Sequence, residues 1–346
     1  MPSVTVDAGV LAAPSSDSSA DTVYTYIDAL LDWRQLLKEP WIAVYMSARA
    51  TESLLCDGMY PLRDSLKLLF RTHGVMHADV NTVAMLVDNL LQITPSLETL
   101  FGVEDVLTEE LSTEPDVLKL SRGKRVQSDF ERCLTLIAIL RQHCGDLFQD
   151  HFFVLRNAPE SHVRVQARIL TIEHERDDLD GIPTYPELFK GNVLVCDDFR
   201  GLIRCLDASK VLVDSKDHLG LETAISIALY KSRLKRGENP EWSDFGDLRI
   251  GHQFLRTIEE TLGASSALPG KILRAIVDTV DRENMAAVHA LRTGPHGNDP
   301  QRMRGNDGAM RRDIDQDYHL HYWSCGNGIV ELASVNYPHH NYWIPE

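Results

Sequence analysis

Apolar residues recur at helical spacing along most of this chain, and that recurrence limits its fold more than any other feature. Tyr26, Ile27, Leu30 and Leu31 form one stripe, with Asp21 or Thr22 placed to cap it. Pro40 to Leu55 and Pro61 to Gly74 read as two further helices, and Val83, Leu86, Leu90 and Leu91 mark another. Ser128 to Phe148, Val163 to Glu175, Leu219 to Leu234 and His252 to Leu262 repeat the pattern. A last long helix begins near Pro269, carries His289 and Arg292 in its final turn, and stops at Gly294-Pro295. Strand signals are few: Asn192 to Cys196 suits a short strand or buried turn, and Ile329 to Val335 alternates as a strand does. Residues 293–317 are rich in Gly, Asn, Asp and Arg and read as a loop. The expected fold class is all-α with a short irregular or β C-terminal segment.

The stretch 1–20 is rich in Ser, Asp, Ala and Pro, and lacks a basic and an apolar region of secretory type. It reads as a disordered tail, which leaves 21–346 as a single helical domain in a cytoplasmic protein. No apolar run is long enough to span a bilayer, so no membrane partner is expected. The net charge of −16 repels phosphate backbones. Nucleic acid is therefore not expected as a partner without a local basic patch, and the one dense patch, Arg302, Arg304, Arg311 and Arg312, is broken up by acidic residues. The 6 cysteines are scattered and form no C-x-x-C, which argues against a disulfide framework and a zinc ribbon.

Chemistry concentrates near the C-terminal end. Asp317 to Gly328 reads DYHLHYWSCGNG, in which His321 and Cys325 form an H-x-x-x-C pair. On a helix, residues four apart are neighbours. On a strand they stand roughly 13 Å apart, and Asn327-Gly328 together with Tyr318, Tyr322 and Trp323 also suits a hairpin. A second reading joins His319, His321, Cys325, His339 and His340 as a zinc site, since H-x-H puts two ligands on one strand face. A third takes Arg156 and His162 as the Arg…His pair of a helical ribonuclease toxin, with Pro159 and the acidic charge against it. An interaction module without a cofactor is the remaining reading.

The pair His321 and Cys325, preceded by His289-Ala290-Leu291-Arg292 and a glycine-rich loop, resembles the histidine-ligated haem-dependent aromatic oxygenases, the tryptophan dioxygenase-like superfamily. The resemblance implies an all-helical fold and a haem with His289 and His321 as axial ligands and Cys325 as a single thioether. His296 and His252 are the other upstream candidates. It also implies a monooxygenase or peroxygenase that takes an aromatic amino acid with oxygen or hydrogen peroxide. The expected reaction is 3-methyl-L-tyrosine to 3-hydroxy-5-methyl-L-tyrosine in natural-product biosynthesis. Arg292, Arg302 and Arg304 are the candidates for the substrate carboxylate, Asp313, Asp315 and Asp317 for its ammonium, and a homo-oligomer is compatible with all of this.

Overall fold

A computed structural model describes residues 2–76, 78–120, 123–144, 148–158, 161–176, 186–242, 248–294, 296–337 and 342–345. The chain is not all-α: it is 44% helical and 25% strand, with two mixed sheets of six strands. It divides into two units, Met1–Cys205 and Leu206–Glu346. The all-helical fold implied by the resemblance is therefore corrected, and a division at Cys205 stands in place of a single domain over 21–346.

The first unit is built on β1 (Ser3–Val6), β2 (Ala43–Met46), β3 (Val103–Glu114), β4 (His151–Val154), β5 (His162–His174) and β6 (Glu187–Cys196). Their order is β2-β1-β4-β6-β5-β3. The neighbours β2, β1, β4 and β6 run parallel, and β5 and β3 add antiparallel. Parallel strands covered on both faces need continuous apolar runs, and β1 and β4 are buried throughout. Ser3–Val6 thus lies inside the sheet, not in a tail. The segment Val163 to Glu175, read above as a helix, instead falls on the strand His162–His174, whose burial alternates along most of its length. The helix Lys124–His143 packs its buried Phe130, Leu134, Ile137 and Leu140 against Phe153, Val163, Val165 and Val195 of the sheet. Where the sequence suggests one helix from Pro40 to Leu55, β2 comes first and a short helix, Ala50–Cys56, follows. Gly74 ends the helix Arg63–His73 in the left-handed conformation that glycine adopts without a Cβ clash.

The second unit carries the helices Ala208–Asp214, His218–Lys235, Phe254–Leu262 and Leu268–Val280. Its strands are β7 (Leu248–Ile250), β8 (Val288–Ala290), β9 (Met303–Arg304), β10 (Asp307–Asp313), β11 (His319–Ser324) and β12 (Val330–Asn336). The order is β7-β12-β11-β10-β8, with β9 paired to β10. Leu320, Tyr322, Leu332 and Val335 face the helices and join Ile225, Phe254, Ile272 and Ile276 in one core. Alternation then sends His319, His321 and Trp323 to the opposite face.

The helix expected to carry His289 stops at Val280. Arg282 and Asn284 take positive φ. The fully buried Arg312 donates to the carbonyls of Asp278, Glu283 and Asn284, which fixes the reversal into β8. His289 is therefore a strand residue.

Candidate functional site

The register of the second sheet brings three side chains into a row. In the antiparallel ladders Arg311 of β10 stands opposite His289 of β8 on one side and opposite His321 of β11 on the other. Directly opposite residues project from the same face, so the order across that face is His289, Arg311, His321. One step along, Asp313 is opposite His319. The Asp313 Oδ1 lies 3.0 Å from His319 Nδ1, off the line of a hydrogen bond, and Oδ2 lies 3.6 Å from His289 Nε2. One carboxylate thus serves two imidazoles.

Burial grades along the row. The His289 and Asp313 side chains are 49% and 37% exposed, Arg311 19%, and His321 is fully buried. His289 and Asp313 form the solvent edge and His321 the closed end. The His321 Nδ1 lies 2.8 Å from the carbonyl of Trp343 and 2.7 Å from the Asn336 side-chain amide. Its Nε2 is buried and has no hydrogen-bond partner among the described residues; the same holds for the Nε atoms of Arg302 and Arg311. Burial pushes the His321 imidazole down to about 4, the Trp343 carbonyl works against this, and His319, Arg311 and Arg302 add to it. The ring is neutral near pH 7. Buried nitrogens of this kind are ordinarily paired, and two guanidinium groups beside a neutral imidazole suit an anionic oxygen.

The four clustered arginines and Arg292 differ in what they do. Arg304 is held by Glu331 at 2.6 Å and 2.8 Å and by Asp307 at 3.1 Å, and its guanidinium lies 4.8 Å from the centre of the Trp323 ring. Arg312 caps a helix end. Arg292 donates to the Asp299 carbonyl at 2.5 Å. Arg311 stands 3.7 Å from Asp313 Oδ1, and it and Arg302 keep Nε atoms without a hydrogen-bond partner among the described residues, so of the three arginines suggested as a carboxylate clamp only Arg302 keeps that position.

A haem held by two imidazoles and a thioether is not accommodated by these residues. Axial ligands reach the iron from opposite sides of the porphyrin, whereas His289 and His321 leave one sheet face two strand spacings apart, roughly 10 Å between backbones, with Arg311 between them. Cys325 follows the end of β11 on extended chain, not on a helical turn with His321. Its sulfur lies 3.9 Å from Arg304 Nη2, and burial followed by the Asp307 carboxylate raises the thiol. His296 and His252 are exposed loop residues outside the row.

His319 and His321 do share a face, as the zinc reading requires, while His339 and His340 lie outside the described residues. The ribonuclease-toxin pair is not helical: Arg156 follows β4 and donates to the carbonyls of Val10 and Ala12, and His162 opens β5. Sequence reasoning named His289 and His321 but missed that Arg311 separates them. The signal was the alternation in MRRD and HLHYW, which puts Arg311, Asp313, His319 and His321 on one face.

In the first unit, Glu98, Asp129 and Cys133 present atoms close enough to share a metal ion. The Arg132 guanidinium occupies that place instead, paired with Glu98 and with Asp129 at 2.8 Å and donating to Ser47 Oγ at 2.8 Å. No helix among the described residues is long and apolar enough to cross a membrane. Comparison with family models, with curated proteins and with solved structures finds no match to this chain.

Proposed function

We propose that the second unit cleaves phosphodiester bonds by acid–base catalysis in a substrate that carries its own hydroxyl nucleophile, as RNA does. The observation that supports this most is the row His289–Arg311–His321. In-line displacement at phosphorus needs a base on one side, an acid on the other and positive charge between them. His321 Nε2, buried in the absence of substrate, takes the proton of the 2′-hydroxyl once the substrate has opened the closed end of the row. The 2′-oxygen then forms a bond to phosphorus as the bond to the 5′-oxygen breaks. His289, beside the Asp313 carboxylate, gives its proton to that leaving oxygen. Arg311, with Arg302, holds the non-bridging oxygens. The products are a 2′,3′-cyclic phosphate and a free 5′-hydroxyl, with no water consumed. The phosphate charge between the guanidinium groups also offsets the burial that keeps His321 far below its ordinary value. No serine or cysteine nucleophile is required, which suits a row that holds none.

The acidic net charge does not oppose this reading at short range, because Arg302 and Arg311 supply a local positive field. The test is cleavage of single-stranded RNA in a chelator. His289→Ala and His321→Ala are expected to lower the rate about 10²–10⁴-fold each. Equal rates in wild type and both variants would remove the proposal.

A second reading rests on the first unit. The parallel strands β2, β1, β4 and β6 end at one edge, where open α/β sheets bind ligands, and Asp7, Asp197 and Asp198 follow β1 and β6 there. Burial first, then Asp198, raises Asp197; burial, Asp198 and Asp28 raise Asp32 to about 6. Crowded carboxylates of this kind suit a divalent cation. Cleavage that disappears in chelator and survives His321→Ala would favour this edge.

A further inference from the structure

The segment Tyr342–Pro345 lies against the sheet face that holds the row, through two backbone carbonyls and the buried Ile344 side chain. Trp343 exposes 42% of its surface, yet its carbonyl meets His321 Nδ1 at 2.8 Å. Ile344 is buried with Leu291, Ala309, Trp323 and Ala333, and Trp323 Nε1 donates to the Pro345 carbonyl at 2.9 Å.

His321 Nδ1 has two polar neighbours that differ in kind. The Asn336 amide lies 2.7 Å away and can serve either tautomer, because turning it by half a rotation exchanges its NH2 for its oxygen. A backbone carbonyl can only accept. With the proton on Nδ1 the groups at that end of the ring pair: Nδ1–H donates to the Trp343 carbonyl, and the Asn336 amide, once turned, accepts from the Ser334 hydroxyl. With the proton on Nε2, the Trp343 carbonyl would face a lone pair at hydrogen-bond distance. The Nε2 atom would also carry a buried N–H with no acceptor among the described residues, in the field of the Arg311 and Arg302 charges. The Trp343 carbonyl therefore selects the Nδ1–H tautomer.

We infer that Trp343 is a positioning residue for the phosphodiester site: its main-chain carbonyl fixes the proton of His321 on Nδ1 and so leaves Nε2 as the lone-pair nitrogen. The catalytic consequence rests on the function proposed above; the tautomer does not, and can be measured without substrate. The segment is part of the site through its backbone, so the Trp343 side chain is dispensable and the anchoring of Ile344 is not.

The experiment is nitrogen-15 NMR of histidine-labelled full-length protein near pH 7, where Nδ1–H and Nε2–H tautomers give separate long-range correlation patterns. Wild type and Trp343→Ala are expected to show Nδ1–H alone. Ile344→Asp, which undocks the segment, is expected to move His321 to a mixture or to Nε2–H. Ile344→Ala, a smaller disturbance should the first variant fail to fold, is expected to shift the population in the same direction by a smaller fraction. Nε2–H in the wild type overturns the inference. So does an unchanged Nδ1–H pattern in a folded Ile344 variant whose Trp323 indole N–H, which donates to the Pro345 carbonyl, has lost its protection. With RNA as substrate, the Ile344 variants lose kcat with KM nearly constant; a row that is never catalytic gives no turnover in any variant while the tautomer result stands.

Discussion

Asp313 stands directly opposite His319 across the β10–β11 ladder, with its Oδ1 3.0 Å from the imidazole Nδ1 and its other oxygen turned toward His289. A carboxylate shared in this way fixes the orientation of a ring at the solvent edge. Asp313→Asn keeps the shape and removes the carboxylate charge beside His289. The expected outcome is a fall in kcat on the order of 10²-fold, the scale of a misplaced catalytic group, with the unfolding midpoint little changed.

Arg311 and Arg304 separate charge from structure. Arg311→Ala removes the group between the two imidazoles, and the expected loss in RNA cleavage is about 10²–10³-fold. Arg304→Ala breaks the pairs to Glu331 and Asp307 and the contact with Trp323. Partly exposed pairs contribute little each, so the expected cost is about 1 kcal/mol of stability, with cleavage retained. Parallel assays of turnover and urea unfolding check both.

Acid sensitivity of the first unit follows from His151. The ring is fully buried on β4, with Ser3 Oγ 2.7 Å from Nδ1 and Thr5 Oγ1 2.9 Å from Nε2, and burial pushes it down to about 3 from an ordinary 6.5. Below pH 6.5 the unfolded chain takes up a proton that the folded chain refuses until about pH 3. Stability from this residue is complete above pH 6.5, declines across that interval and levels off below it. The decline is on the order of a few kcal/mol. His151→Gln should flatten the dependence of the urea midpoint between pH 7 and pH 4; an equal slope in the variant would contradict the assignment.

The pair Arg132 and Glu98 is buried with Asp129 and Ser47. Removing the cation leaves two buried carboxylates without it. Arg132→Met should destabilise the first unit by about 3–5 kcal/mol, read as an earlier unfolding midpoint.

Several helices were legible because their spacing admits one period. Val83, Leu86 and Leu90 are buried along Val80–Ile93, and Gly74 stops its helix as a left-handed glycine should. The segment His162–His174 was not, because Val163, Ala167 and Leu170 fit a helical stripe as well as Val163, Val165, Ala167 and Ile169 fit a strand face. Long-range pairing with β3 and β6 decides between them, and no local window contains it. The final turn expected at His289 fails for a similar reason: Arg312, more than twenty residues on, caps the carbonyls of Asp278, Glu283 and Asn284. His289 and His321 were identifiable as a pair by residue type. Their side-by-side placement depends on the register of β8, β10 and β11, which the H-x-x-x-C spacing does not contain.

The most direct test of the account is end-group analysis of a short single-stranded RNA incubated with the full-length protein in excess chelator. The row His289–Arg311–His321 predicts fragments ending in a 2′,3′-cyclic phosphate, with a free 5′-hydroxyl on the partner fragment. Replacing the 2′-hydroxyl by hydrogen at the cleaved position should abolish the reaction. Intact RNA in chelator, or equal cleavage of the 2′-deoxy substrate, would contradict it.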